Sequence, residues 1–199
     1  VNALAVVDDG RERALFAGGR FLIAGGVGVS HLARWGSRWS ALGSGLDGEV
    51  HATAVHDDGP GPPPFAGGSF PGTGDTLASR IARWNGSRWA SLGSGMNDDV
   101  LALAVYDDGT GPALHAAGEF TTGGGVSARF LSKWNGSSWS AGVGGGLNDR
   151  VLALAVYDDG AGQALYAGGY FTRAGSAGSV RANYIAKWNG TRWSALLGV

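Results

Sequence analysis

Two residue patterns in this sequence have the makings of a chemical site. The first is a pair of adjacent aspartates followed by glycine, at Asp8-Asp9, Asp57-Asp58, Asp107-Asp108 and Asp158-Asp159, backed by Asp98-Asp99 and Asp149. Carboxylates combined with backbone carbonyls can ligate calcium, so calcium at the Asp-Asp-Gly turns is one option. The spacing lacks the alternating acidic positions of a known calcium loop. Turn chemistry alone also accounts for aspartates before a glycine, since the side chain caps its own backbone and glycine supplies a positive φ. The turn reading is preferred, and no cofactor is expected.

The second pattern is a basic residue before a tryptophan: Arg34 and Trp35, Arg83 and Trp84, Lys133 and Trp134, Lys187 and Trp188. A second tryptophan follows each, at Trp39, Trp89, Trp139 and Trp193. A ring beside a cation, presented several times, is a platform on which sugars stack, so these eight residues are the candidate sites of a carbohydrate-binding module. The competing reading puts the tryptophans in the core, where each buries up to ~250 Å², and leaves the cation at the solvent face.

Other chemistries fare worse. His31, His51, His56 and His115 show no metal-ligand spacing, and on a regular strand His51 and His56 fall on opposite faces. Cysteine is absent, which removes thiol catalysis and thiolate metal sites. Residue types leave Ser-His-Asp chemistry open, but there is no G-x-S-x-G elbow. Gly43-Ser44-Gly45 and Gly93-Ser94-Gly95 are glycine-rich linkers with no helix to follow, which also disposes of a phosphate loop. Asn85, Asn135 and Asn189 fit the glycosylation pattern N-x-S/T, which here coincides with hairpin turns.

The elements that position these residues are set by an internal repeat. VNALAVVDDG from Val1 recurs as VHATAVHDDG from Val50, VLALAVYDDG from Val100 and VLALAVYDDG from Val151. The copies divide the chain into 1–49, 50–99, 100–150 and 151–199. In strand geometry one alternating set is small (Ala3, Ala5; Ala52, Ala54; Ala102, Ala104; Ala153, Ala155). The other is larger (Leu4, Val6; Thr53, Val55; Leu103, Val105; Leu154, Val156). Apolar residues on both sets predict that both faces are covered, small against large.

Further strands are expected in every copy, near Ala14 to Ala17, His31 to Trp35 and Trp39 to Leu42 in the first and at matching places in the others. Asn-Gly turns join the last two from copy two onward. Pro60, Pro62, Pro63 and Pro64 predict a stiff loop at a surface edge. Thirty-eight glycines exclude most helix. The expected fold is all-β, a propeller of four blades with four antiparallel strands each, the VxALAV strand innermost and Val1 close to Val199. Half of an eight-bladed ring, or a segment of a longer array, is the alternative. A trefoil would want three units, and a β-helix coil would be far shorter.

V-x-A-L-A-V-x-D-D-G, A-L-Y-A-G-G-x-F, I-A-K-W-N-G and W-x-x-L-G-x-G-L-N together resemble the tandem repeats of bacterial extracellular β-propellers of kelch-like and delta-sixty type. Copy one lacks the Asn before Gly36, and His115 stands where the other copies have Phe or Tyr. The resemblance implies a recognition or structural module, secreted or at the cell surface, and not an enzyme. Multivalent carbohydrate binding is the alternative function and a hydrolase the weaker one.

Composition narrows the partners. Net charge is −1, from 15 basic and 16 acidic residues, so neither nucleic acid nor an anionic membrane is favoured. No apolar run approaches the ~18 residues of a spanning helix, and no signal-peptide pattern opens the chain, which reads as a mature or trimmed product. A protein or glycan partner is expected, with self-association a further option. The excess of arginine over lysine suggests a GC-rich bacterial genome. A chain of this length buries about 70% of its unfolded surface without staples.

Overall fold

Valine, alanine and leucine in period-two runs, cut by Asp-Gly and Asn-Gly, yield strands throughout. The structure, a computed structural model, describes residues 1–8, 13–57, 63–74 and 77–196. The described residues form no α-helix, only two three-residue 3-10 turns, Val143–Gly145 and Ser176–Gly178. The chain forms two compact units, Val1–Val100 and Leu101–Val199.

In the first unit, sheet 1 is an antiparallel meander of Ala3–Asp8, Arg13–Gly18, Leu32–Trp35 and Trp39–Ala41. Sheet 2 repeats it with Glu49–Val55, Pro64–Ser69, Ile81–Trp84 and Trp89–Ser91. In the second unit, sheet 3 contains Val100–Asp107, Pro112–Gly118 and Leu131–Trp134, with Trp139 joined to Trp134 by a single bridge. Sheet 4 contains Val151–Asp158, Gln163–Gly169, Ile185–Trp188 and Trp193–Ala195. The four expected strands thus appear in three repeats, and in the third the last one shrinks to a bridge.

Within each unit the two sheets stack through unlike faces. Ala3 lies opposite Gly18 and Ala5 opposite Phe16, so Ala3, Ala5, Phe16 and Gly18 share one face of sheet 1. That face meets sheet 2: a Cβ added to Gly18 would lie 2.5 Å from Val50 Cγ1 and 3.3 Å from Thr53 Cγ2. Phe16, Leu32, Leu42, Val50, Ala66, Ala82 and Trp89 belong to one core. In the second unit Ala102, Tyr106 and Leu131 of sheet 3 share a core with Val151, Leu165, Ala186, Trp188 and Trp193 of sheet 4, and Ala104 and Leu154 pack against it. The small set of one repeat faces the larger set of the next, as the alternation predicts.

Three expectations need correction. Both faces are not covered on every first strand: Leu4 and Val6 are exposed on Ala3–Asp8, and Ala153, Ala155 and Tyr157 on Val151–Asp158. Inside its unit each sheet has one neighbour, which covers one face. Pro64 is not in an edge loop. It is buried and begins an interior strand, where its missing N–H is tolerated at the first residue, while Pro60 and Pro62 lie outside the described residues. The opposite-face assignment of His51 and His56 fails because a register shift between Val50 and Ala52 makes His51 an extra residue and His56 lies beyond the strand. The Asn-Gly turns form where expected, as four-residue loops such as Asn85-Gly86-Ser87-Arg88. Asn85 Oδ1 accepts from the amides of Ser87 and Arg88 at 3.0 and 2.9 Å, and Gly86 takes φ +95°.

An element not read from the sequence is a small ribbon after the second strand: Ile23–Ala24 with Val27–Gly28, Thr122–Gly123 with Val126–Ser127, and Arg173–Ala174 with Val180–Arg181. In the first two, paired glycines at positive φ make the turn (Gly25 +54° and Gly26 +84°, Gly124 +60° and Gly125 +84°). The expected proximity of Val1 to Val199 falls on Val199, outside the described residues, as do Leu197 and Gly198.

The stacking sets a stability test. Ala104 packs on the core between sheets 3 and 4, whereas its counterpart Ala155 is exposed. In urea unfolding at high dilution, Ala104→Leu should cost about 1 to 3 kcal/mol, more than Leu103→Ile, and Ala155→Leu close to nothing. Equal losses at Ala104 and Ala155 would remove the assignment of the small set to the face that receives the next repeat.

Candidate functional site

The two patterns that looked chemical in the sequence turn out to be each other's partners. The first aspartate of the turn caps it: Asp107 Oδ1 accepts from the amides of Gly109 and Gly111 at 2.8 and 2.9 Å. Asp158 Oδ1 does the same for Gly160 and Gly162, at 2.8 and 3.0 Å. The second aspartate reaches across the sheet to the basic residue before the tryptophan. Lys133 Nζ donates to Asp108 Oδ2 at 2.7 Å, and Lys187 Nζ to Asp159 Oδ2 at 2.5 Å. Asp8 pairs with Arg13 at 3.3 Å, while Asp9 and Asp58 lie outside the described residues.

These contacts shift the carboxylates. Hydrogen bonds from Lys187, Tyr166 and the Ala161 amide hold Asp159 down to about 2. At Asp108 burial pushes upward, but hydrogen bonds from Lys133 and Thr110 and the lysine's charge outweigh it, and the group titrates below its ordinary value. Calcium at these turns would have to displace both the lysine and the turn amides. Among the described residues no group of three or more His, Asp or Glu side chains converges as a metal site.

The tryptophans pair ring to ring in every repeat, with centroids 5.2 Å apart for Trp35 and Trp39, 5.5 Å for Trp84 and Trp89, 5.2 Å for Trp134 and Trp139, and 5.5 Å for Trp188 and Trp193. Trp89, Trp134, Trp139, Trp188 and Trp193 are buried, Trp84 is half-buried, and Trp35 is exposed. In sheet 2, Trp89 Nε1 donates to the Leu42 carbonyl at 3.1 Å, and a Cβ on Gly43 would come within 3.1 Å of the Trp84 ring. In sheet 4, Trp193 Nε1 donates to the Val143 carbonyl at 3.0 Å, and a Cβ on Gly144 would overlap the Trp188 ring. Each of these pairs is seated on a glycine-bearing loop of the preceding repeat. Arg34 and Arg83 are half-buried and, as strand neighbours of Trp35 and Trp84, point to the opposite face of the sheet.

One polar cluster has no equal in the other repeats and was not read from the sequence. His51 Nε2 lies 2.8 Å from Ser69 Oγ, Ser69 Oγ donates to Asp99 Oδ2, and Arg80 Nε pairs with Asp99 Oδ1 at 3.2 Å. The serine hydroxyl gives its proton to a carboxylate already neutralised by arginine, leaving the histidine no role as its base. A nucleophilic triad needs the opposite direction, with the hydroxyl donating to histidine. Residues 51, 69, 80 and 99 are too scattered for a spacing rule to have found them.

His115 is buried, with Nδ1 3.1 Å from the Ala113 carbonyl and Nε2 without a hydrogen-bond partner, its ring 5.7 Å from Tyr106. Burial lowers its pKa to about 4. Comparison with family models, with curated proteins and with solved structures finds no match.

Two titrations test these assignments. The folded value of His115 lies below that of an unfolded histidine, so the unfolded chain binds more protons between about pH 6.5 and 4, and stability is lost as pH falls through that window. His115→Phe, which restores the residue type of Phe16 and Phe65, should abolish that slope in urea unfolding. It should also raise stability at pH 7 by about 1 kcal/mol or more, since an unpaired buried nitrogen disappears. Asp159 contributes above about pH 4, and its contribution is lost as pH falls toward 2. Lys187→Met should return the Asp159 carboxyl toward an ordinary value near 3.9 in a carbon-13 NMR titration. An unmoved midpoint would mean that the ion pair does not form in solution.

Proposed function

We propose that this chain is a non-enzymatic recognition or structural module built from propeller-type repeats of the kelch-like and delta-sixty kind, working outside the cell or at its surface. Each meander sheet corresponds to a blade, with the VxALAV strand innermost. The alternative to four blades closing alone is half of a larger ring or a segment of a longer array. The observation that carries the functional reading is the pairing of Asp108 with Lys133 and of Asp159 with Lys187. The repeated charged residues serve their own sheets, and catalysis would need unlike residues converging on one pocket.

The carbohydrate reading keeps one foothold. Trp35 is the exposed ring of the eight, although Arg34, its neighbour on the strand Leu32–Trp35, points to the opposite face. Stacking on a buried indole is closed to a sugar, so binding would centre on Trp35. The hydrolase reading rests on His51, Ser69 and Asp99, whose hydrogen-bond direction speaks against it.

A glycan array and a fluorophosphonate label separate the three. The expected results are no glycan retained at millimolar sugar and no covalent label at Ser69. Retention lost in Trp35→Ala would establish the lectin reading in place of the scaffold one. Ester turnover abolished by Ser69→Ala would overturn the non-enzymatic assignment altogether.

A further inference from the structure

Equivalent residues in this protein have unequal surroundings. Thr53 and Val55 on sheet 2, and Leu154 and Trp188 on sheet 4, lie on the face that receives the preceding repeat. On sheet 1 that face holds Leu4, Val6, Trp35 and Trp39. Leu4 is 62% exposed, Val6 55% and Trp35 41%, against 7% for Trp188. The opposite face shows the same contrast at the other end. Tyr106 of sheet 3 is 2% exposed under sheet 4 and its hydroxyl donates to the Gln163 carbonyl at 3.3 Å, whereas its counterpart Tyr157 is 62% exposed beside exposed Ala153 and Ala155.

A repeat whose outer face stays in water carries polar residues there. These two faces present apolar first strands, although Lys187 and Ser194 lie farther along the sheet 4 face. They carry the same apolar residues as the covered faces, and they are of opposite kind: sheet 1 presents the larger set with its tryptophan pair, sheet 4 the small set with a tyrosine. Both intra-unit junctions join a small-set face to a larger-set face.

We propose that the exposed face of sheet 1 docks a second copy of this chain through that copy's exposed sheet 4 face, reproducing the junction found between sheets 1 and 2 and between sheets 3 and 4. The contact is heterologous, with Leu4, Val6 and Trp35 from one copy meeting Ala153, Ala155 and Tyr157 from the other, so each copy offers one face of each kind. The occupant is a second copy because both halves of the junction are on this chain, and a partner of another fold would have to reproduce a repeat. The inference rests on the stacking of repeats and not on the recognition reading, so a monomer that still binds a ligand would sink this inference alone.

Sedimentation velocity over a range of concentrations provides the test, with Val6→Lys and Tyr157→Glu as variants. Both residues are exposed on their own units, so circular dichroism and urea unfolding at high dilution should leave the variants folded like the parent. The parent is expected to self-associate, and each variant alone to weaken association by roughly tenfold or more, the effect of one central interface residue. Mixing the two variants is expected to restore association, because one junction is then intact and the other sets lysine against glutamate. A parent that stays monomeric at every concentration overturns the proposal, whether its faces are left bare or are covered within one chain. So does self-association that only one variant weakens, which means like faces meet, and so does a mixture that fails to recover.

Discussion

A tryptophan pair seated on a glycine loop of the neighbouring sheet is the contact on which each unit depends. Trp89 and Trp193 each spend their indole N–H on a backbone carbonyl, of Leu42 and Val143, that also accepts a loop amide, of Gly45 and Gly146, so the ring is bonded to the turn itself. The seat has no room for a side chain, since a Cβ on Gly43 or Gly144 would press into the Trp84 or Trp188 ring, and both glycines hold φ near +60° (+60° and +56°). Steric and conformational demands coincide there, and only glycine meets both. The rest of the interface is alanine and glycine against valine and leucine, which brings the sheets close because one partner has almost no side chain.

Close approach also fixes where the chain bends. His31, Arg80, Phe130 and Tyr184 occupy the same place in the four repeats and take φ +69°, +70°, +69° and +70°, a region that disfavours a non-glycine residue by about 1 to 2 kcal/mol. The strain is held by two backbone bonds in every case. In the first repeat the His31 amide donates to the Phe21 carbonyl at 2.8 Å and the Gly19 amide to the His31 carbonyl at 3.0 Å. Arg80 with Phe70 and Gly68, Phe130 with Phe120 and Gly118, and Tyr184 with Phe171 and Gly169 repeat the arrangement. The phenylalanine of the A-G-G-x-F motif is therefore an anchor for the third strand as much as a core residue.

The strand count, the meander order and the small-against-large stacking were legible because alternation, turn residues and a repeat of about fifty residues all point the same way. The left-handed residues were not, since His, Arg, Phe and Tyr carry no signal for positive φ. The ribbons escaped because two-residue strands around Gly25-Gly26 or Gly124-Gly125 leave no periodicity to read. Burial at Leu4 and Leu154 differs although the residues are equivalent, because exposure depends on what lies opposite. The Asp108 and Lys133 partnership was hidden by separation along the chain: each residue type suggested a site of its own, and antiparallel pairing of Pro112–Gly118 with Leu131–Trp134 brings them together.

Repetition itself separates what holds the sheets from what distinguishes them. Turn caps and lysine pairs recur in the third and fourth repeats and tryptophan seats in the second and fourth, so they serve a need shared between copies. The residue before the valine that opens each new repeat does not recur. Glu49 accepts from Asn2 Nδ2 at 2.9 Å, Asp99 takes Ser69 and Arg80, and Arg150 pairs with Glu119 at 2.9 Å while lying 4.5 Å from the Tyr170 ring. Charge reverses from acid to base at one structural position while the backbone around it stays the same. A fold that needed a particular charge there would have kept it. Partner chemistry can vary at that position without disturbing the stack, because these side chains bond one another at the strand ends and contribute nothing to the apolar faces.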